Sequence, residues 1–253
     1  MSEEVSDDGF LGRRLRLLQP KRGHRFGGDA ALLVAAARSV MKDGDAVADF
    51  GAGVGAVGLG LALLGAGRVV LVEIDPALAA ISAQNADRNG LRERTETAVC
   101  DVAALCRPGA PADVAPDRFD LVAANPPFDD PGRFRPSSGS GRALAHLGDD
   151  VLFADWASAA ARALKSGGAF VAIHRPEALA GILAALDRAF GDVRLKPVHA
   201  RAGAPAGRLL VSARKGGRGP LEIRPALVMH ADEGGFTAEA DAAQRGEAAL
   251  DLA

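Results

Sequence analysis

"DFGAGVGAVG", Asp49 to Gly58, is the stretch on which the reading of the fold turns. The short apolar strand "AVADFG" runs into it, and the helical run "AVGLGLALLGAG" leaves it. Gly51, Gly53 and Gly55 allow a tight turn and close approach of the backbone to a ligand. Read as Gly51-Gly53-Ala56, the spacing also satisfies G-x-G-x-x-A, the turn by which a strand hands over to a helix in nucleotide-binding units. The next strand, "RVVLVEID", carries Glu73 near its end, at the distance expected of an acid that binds a ribose diol.

Outward from that unit the pattern keeps alternating. "PALAAISAQNADRNG" is a helix with proline in its first turn and glycine after its end. "TETAVC" and "FDLVAAN" are the third and fourth strands, and "AFVAIHR" is the fifth. Between the last two, Leu152, Trp156, Ala160 and Leu164 recur at helical spacing, with Asp149-Asp150 placed to cap that helix and Gly167-Gly168 to stop it. Pro176 to Phe190 reads as a helix. "VRLKPVHA" and "GRLLVSARK" are two final strands with no helix between them, and "LEIRPALVMH" offers one more. Strands alternating with helices give an α/β fold, a parallel sheet with helices on both faces, here with an antiparallel hairpin at one edge. Ligands in such sheets sit beyond the carboxyl ends of the strands.

A chain of 253 residues with 48% hydrophobic content builds one good-sized core. Residues 1–9, acidic and polar, are expected to be disordered, with residues 10–253 forming a single domain. Cys100 and Cys106 match no metal or redox spacing, and the five histidines show none either, so no metal is expected and the setting is cytoplasmic. No apolar run is long enough to span a bilayer. The net charge of −2 conceals clustering. Arg13, Arg14, Arg16, Lys21, Arg22 and Arg25 form one basic run, and Arg194, Lys196, Arg201, Arg208, Arg214, Lys215 and Arg218 another. Both suit RNA phosphates, or else reflect an arginine-rich composition.

The glycine turn alone admits both a dinucleotide and S-adenosylmethionine. Asp49, two residues before the first glycine, is expected to face the pocket. A carboxylate there repels a pyrophosphate but suits the ammonium and sulfonium of S-adenosylmethionine. Its alternative role is a cap or turn residue. Asp101 after the third strand is placed to accept from an adenine amino group while Val102 offers its backbone N–H; Asp101 also fits as the cap of a short helix. Asp29, in "RFGGDAALL", is either a helix cap or a contact to the methionine end of the cofactor.

The fourth strand stops at Asn125-Pro126-Pro127-Phe128. Proline cannot continue a ladder, so the chain leaves the sheet there. A planar amine or amide nitrogen is a poor nucleophile because its lone pair is delocalised. The Asn125 side-chain oxygen and the Pro126 carbonyl together can hold its protons, Pro127 has no N–H to compete, and Phe128 presents a face for a flat base.

With "RFGGDAALLVA", "DFGAGVGAVGLGLA", "VEIDPALAAISAQNADRNG", "ANPPF", "RALAHL", "LKSGGAFVAIHRPEAL" and "GRLLVSARKGG" in view, the chain resembles the class I methyltransferases that carry N-P-P-Y/F, over about residues 10–240. Within them it looks most like the bacterial valine-tRNA adenine-N6 methyltransferases. The resemblance implies a Rossmann-like seven-stranded mixed sheet with helices on both faces. It assigns the cofactor to Asp49, Gly51, Gly53, Glu73 and Asp101, and catalysis to Asn125 through Phe128. It implies methyl transfer to adenine N6 in tRNA. Phenylalanine in place of the usual tyrosine also occurs in enzymes that methylate guanine N2, and glutamine amide N5 is a third acceptor served by the same tetrad. A small-molecule O-methyltransferase or a non-catalytic S-adenosylmethionine- and RNA-binding protein ranks below these. The Gly/Ser/Pro-rich residues 129–146, with Arg133, Arg135 and Arg142, read as a substrate lid.

Overall fold

The computed structural model describes residues 5–22, 25–106, 114–127 and 140–253. It opens with an antiparallel hairpin of β1 (Val5–Phe10) and β2 (Leu15–Pro20). The alternating part runs α1 (Gly28–Val40), β3 (Ala46–Phe50), α2 (Ala56–Leu63), β4 (Arg68–Glu73), α3 (Pro76–Arg88), β5 (Thr95–Val99) and β6 (Phe119–Ala124). Then come α4 (Ser140–Ala163), β7 (Leu164–His174), α5 (Leu179–Leu186), β8 (Phe190–Arg201), β9 (Ala206–Lys215), β10 (Glu222–Ile223), β11 (Leu227–His230) and α6 (Ala238–Gln244).

The large sheet has the order β10-β8-β9-β7-β6-β3-β4-β5, with β11 also on β8. β7, β6, β3, β4 and β5 are mutually parallel, and β9 is antiparallel to both β7 and β8. The expected seven-stranded mixed sheet is therefore present, extended at one edge by two short strands. Those two come from the single strand expected in "LEIRPALVMH". Pro225, which has no N–H for a ladder, lies between them.

Period-2 alternation divides the core between the two sheet faces. Val47, Val69, Leu71, Leu121, Ala123, Val171 and Ile173 pack under α1 and α2. Ala48, Phe50, Val70, Val72, Val122, Ala124 and Phe170 pack under α4 and α5. Because these strands are covered on both sides, they read as continuous apolar runs.

Four local expectations are corrected. Val5–Phe10, the last five residues of the stretch expected to be disordered among them, is a strand. Its acids have partners that no local pattern reveals: Asp7 pairs with Arg16 and Arg88, and Asp8 accepts from Ser6, Gln19 and Arg25. Asp149 and Asp150 lie within α4 and do not cap it, since the helix begins at Ser140. Gly167-Gly168 does not end α4, which stops at Ala163; it lies inside β7, where Gly167 has φ +76° and the register against β6 slips between Phe119 and Leu121. The Pro176–Phe190 helix is shorter, α5 ending at Leu186.

Candidate active site

The glycine loop joins β3 to α2 at the carboxyl edge of the sheet, and three buried side chains fasten it. Glu73, at the end of β4 and 6% exposed, accepts from Gly53 N at 2.7 Å with one oxygen and from Asp75 N at 2.9 Å with the other. Asp49, 2% exposed, accepts from Gly58 N at 2.8 Å. Asn85 of α3 donates to Val54 O at 3.0 Å.

Asp49 does not face the opening. Being two residues from Val47, it shares the sheet face under α2, and it takes an orphan N–H in the first turn of a helix whose own cap, Gly55, has no side chain to offer. The alternative capping role is thus realised. Burial pushes its carboxyl up to about 7, against the lowering effect of the Gly58 N–H, with the Glu73 charge adding to the rise. α2 comes this close because residue 58 is glycine. A Cβ there would run into Leu71, and Asp49 could not be reached from the same distance. Gly58 was not among the residues singled out from the sequence, although it stands in the quoted stretch. Its signal is a glycine inside a helix, a position that costs stability without a packing reason.

Gly51 and Gly53 are required for different reasons. Gly51 has φ +67°, and a Cβ on it would lie 2.5 Å from the Trp156 ring of α4. Gly53 has φ +56°, and a Cβ there meets nothing within 4 Å. The first glycine makes room for the protein, the second leaves its side open. Beside it Ile74 is 64% exposed immediately after buried Glu73. Val102 is buried, and exposed Asp101 accepts from Ala103 N at 2.9 Å as a cap of the short helical turn Val102–Cys106. Exposed Ile74 at the carboxyl edge, directly after Glu73, is what the sequence reading missed. Its trace is an isoleucine where the strand has already ended.

These contacts decide between phosphate and cation. The N–H groups of Ala52, Gly53, Gly55 and Gly58 are taken by Val72 O, Glu73, Ala52 O and Asp49. A pyrophosphate would find these four donors taken and the Glu73 carboxylate beside Gly53. A cationic, hydroxyl-bearing ligand fits an open glycine flanked by carboxylates with unused lone pairs.

Register sets the tetrad next to this loop. Ala124 stands opposite Phe50 on one side and Ala172 on the other, so Asn125 leaves the sheet between the ends of β3 and β7. Asn125 is half-buried, Pro126 buried and Pro127 exposed. Phe128 and residues 129–139 lie outside the described residues, as do the side chains of 140–151, so Arg133, Arg135, Arg142 and the expected lid fall there. His174, buried at the end of β7 with its ring edge-on to Phe153 at 5.6 Å, closes that side and was not picked out from the sequence.

Asp29 is not the cap of α1: Gly27 holds that place, and Asp29 sits in the first turn, where Arg208 of β9 donates to it at 2.7 Å. The basic clusters are neutralised in part within the fold. Arg16, Arg25, Arg194, Lys196, Arg208 and Lys215 each face an acid. Arg16 also lies far from the tetrad, because its backbone is held by Asn89, just beyond the carboxyl end of α3, at the opposite edge of the sheet.

A sheet of this order with an acid-fastened glycine loop and Asn-Pro-Pro at the neighbouring strand end defines a methyltransferase of the class I, Rossmann-like type. The family model described as methyltransferase small domain matches residues 28–200, and the chain belongs to that family. It is 26% identical over 247 residues to tRNA1(Val) (adenine(37)-N6)-methyltransferase of Dickeya chrysanthemi, covering 94% of this chain and 92% of that one. It is 36% identical over 85 residues to ribosomal protein L11 methyltransferase of Pelotomaculum thermopropionicum, spanning 34% of this chain but only a quarter, 25%, of that protein. Among solved structures, a predicted O-methyltransferase from Agrobacterium tumefaciens superposes with a TM-score of 0.72 at 31% identity, covering 88% of this chain and 98% of that one. The Thermus thermophilus 16S rRNA N2 G1207 methyltransferase superposes with a TM-score of 0.58 at 22% identity, covering 84% and 50%. Among the described residues no helix is long and apolar enough to cross a membrane.

Proposed function

We propose that this protein transfers a methyl group from S-adenosylmethionine to a planar exocyclic nitrogen, adenine N6 of a tRNA, in the cytoplasm. The observation that carries the proposal is the juxtaposition of Asn125-Pro126-Pro127 with a glycine loop in which the N–H groups of Ala52, Gly53, Gly55 and Gly58 are already taken by acids and carbonyls. The likeness to the Dickeya tRNA enzyme over nearly the whole length of both chains supports the choice of substrate.

When bound, S-adenosylmethionine supplies an electrophilic methyl on a sulfonium. Glu73 is suited to the ribose hydroxyls, which take the lone pairs its two backbone donors leave free. Ile74 and Val102 offer apolar contact to the adenine ring, and Asp101 an acceptor for its amino group. Asp49 acts from beneath the loop, holding α2 in place and adding negative potential. The Asn125 side-chain oxygen and the Pro126 carbonyl accept from the two protons of the target amine. As charge develops on that nitrogen, both acceptors strengthen. Phe128 stacks on the base, which leaves its own stack to enter. No strong base is required, since the nitrogen becomes acidic once methylated.

For RNA, the basic residues that matter are Lys21, Arg22 and Arg201. These lie at the carboxyl edge, whereas Arg13, Arg14 and Arg16 belong to the far end of the hairpin. Guanine N2 is the second reading, favoured by phenylalanine at position 128.

The deciding experiment is incubation with labelled S-adenosylmethionine and separate tRNA, rRNA, protein and small-molecule fractions, followed by nucleoside and amino-acid analysis. N6-methyladenosine from tRNA is expected. N2-methylguanosine or N5-methylglutamine would change the acceptor, an O-methylated small molecule the reaction class, and no transfer to any fraction would refute the proposal.

A further inference from the structure

Among the described residues, β2 has β1 on one edge and no strand on the other. That free edge is paired by side chains. Asn89 accepts from Arg16 N at 2.9 Å and donates to Arg16 O at 2.9 Å; Asn85 accepts from Leu18 N at 2.7 Å and donates to Leu18 O at 2.9 Å. The match is geometric. Four residues of helix rise about 6 Å and two residues of strand about 6.6 Å, so amides at i and i+4 on α3 meet alternate residues of β2. The hairpin is thereby stitched to α3 instead of to the large sheet.

The two asparagines differ in their further partner and in burial, Asn89 being half-buried. The amide nitrogen of Asn89 has its further acceptor within the helix, Asn85 O at 2.7 Å, whereas that of Asn85 donates to Val54 O in the glycine loop at 3.0 Å. Asn85 is completely buried. Val54 is flanked by Gly53, whose N–H is held by Glu73, and by Gly55, on which an added Cβ would meet Ser82 one turn before Asn85. The other end of the hairpin is fixed too: buried Leu11, in the left-handed region at φ +47°, reaches towards Gly60 and Gly246.

We infer that Asn85 is a positioning residue for the cofactor loop, through which docking of the N-terminal hairpin sets the loop's conformation and hence its affinity for the cofactor. One amide satisfies both polar groups of Leu18 and the carbonyl of Val54, so the hairpin cannot lift from α3 without altering the amide that holds the loop. The inference rests on the S-adenosylmethionine reading for its ligand but not for its mechanical content.

The test compares Asn85→Ala with Asn89→Ala in the full chain, after circular dichroism shows both folded. In the ligand-free proteins, amide hydrogen exchange of residues 52–58 should quicken about tenfold or more in Asn85→Ala and stay within about twofold in Asn89→Ala, while exchange in β2 quickens in both. Calorimetry should show S-adenosylmethionine affinity falling by about tenfold in the first and little in the second. If Asn85→Ala does not fold, Asn85→Asp is read in the same way: it keeps the acceptor for Leu18 N and loses both donations. Equal effects of the two positions on the loop, or a folded Asn85 variant with parental loop exchange, would overturn the inference. A parent that binds no S-adenosylmethionine would instead overturn the proposed function, and the exchange data alone would then judge Asn85.

Discussion

Replacing Asp49 with asparagine removes an ionisation that the fold resists, and the size of the effect follows from its surroundings. The carboxyl is fully buried and lies near Glu73, and these two raise it from 3.8 to about 7 against the lowering effect of the N–H it accepts from Gly58. A raised carboxyl means that the folded state binds more protons than the unfolded state between those two values. Stability from this group is therefore present in full below the unfolded value and is lost as pH rises through the folded one. The slope approaches about 1.4 kcal/mol per pH unit, so between pH 5 and pH 8 the group removes roughly 2.5–3 kcal/mol. The side-chain oxygen of the Asp49→Asn variant would still accept from Gly58 N, but its amide hydrogens need partners, at a cost of about 1–3 kcal/mol that does not vary with pH. The measurement is urea unfolding of parent and Asp49→Asn at half-unit steps from pH 5 to 8.5. The difference between the two curves should move by roughly 2.5 kcal/mol in favour of the variant as pH rises. Curves that stay parallel to within about 0.5 kcal/mol would show that Asp49 is ionised throughout, and that the account of its burial is wrong.

Four further outcomes are expected. Affinity for cationic S-adenosylmethionine should rise between pH 6 and 8 in the parent, since a nearby cation favours the ionised Asp49, and should be nearly flat in Asp49→Asn by calorimetry. Glu73→Ala should weaken the cofactor by about 1.5–3 kcal/mol; unchanged calorimetric affinity would remove Glu73 from the ribose. Asn125→Ala should keep fold and cofactor affinity while turnover falls about 10²–10³-fold, a loss that single-turnover rates on tRNA would register. Replacing Arg13, Arg14 and Arg16 by alanine should leave the salt dependence of RNA binding as it is, whereas replacing Lys21, Arg22 and Arg201 should flatten it by about one unit of slope per lost phosphate contact.

What the sequence determined by itself is whatever depends on neighbours along the chain. The strands under both layers of helices are unbroken apolar runs, the turns between them carry glycine or proline, and the strand–glycine–helix unit with Glu73 on the next strand has a set spacing. Those local rules were enough for an α/β sheet, for its antiparallel β8–β9 hairpin and for the two loops at the ends of β3 and β6. The tetrad was legible for the same reason: two prolines at a strand end break a ladder wherever they occur. The tertiary structure decided what depends on residues far apart. Asp7 and Asp8 look like a polar tail until Arg16, Arg88 and Gln19 meet them, and that pairing turns disorder into a strand. The basic runs look free until acids from other elements neutralise Arg16, Arg25, Arg194, Lys196, Arg208 and Lys215. Asp49 was placed in the pocket from its distance to Gly51, but alternation along β3 turns it under α2, where Gly58 lets the helix come close enough to share a proton donor. Asn85 was one polar residue in a helical pattern, and only packing brings a hairpin and the glycine loop to the same amide. A side chain's direction and its long-range partner are set by close packing and by the requirement that buried polar groups be satisfied, and neither is written in sequence spacing.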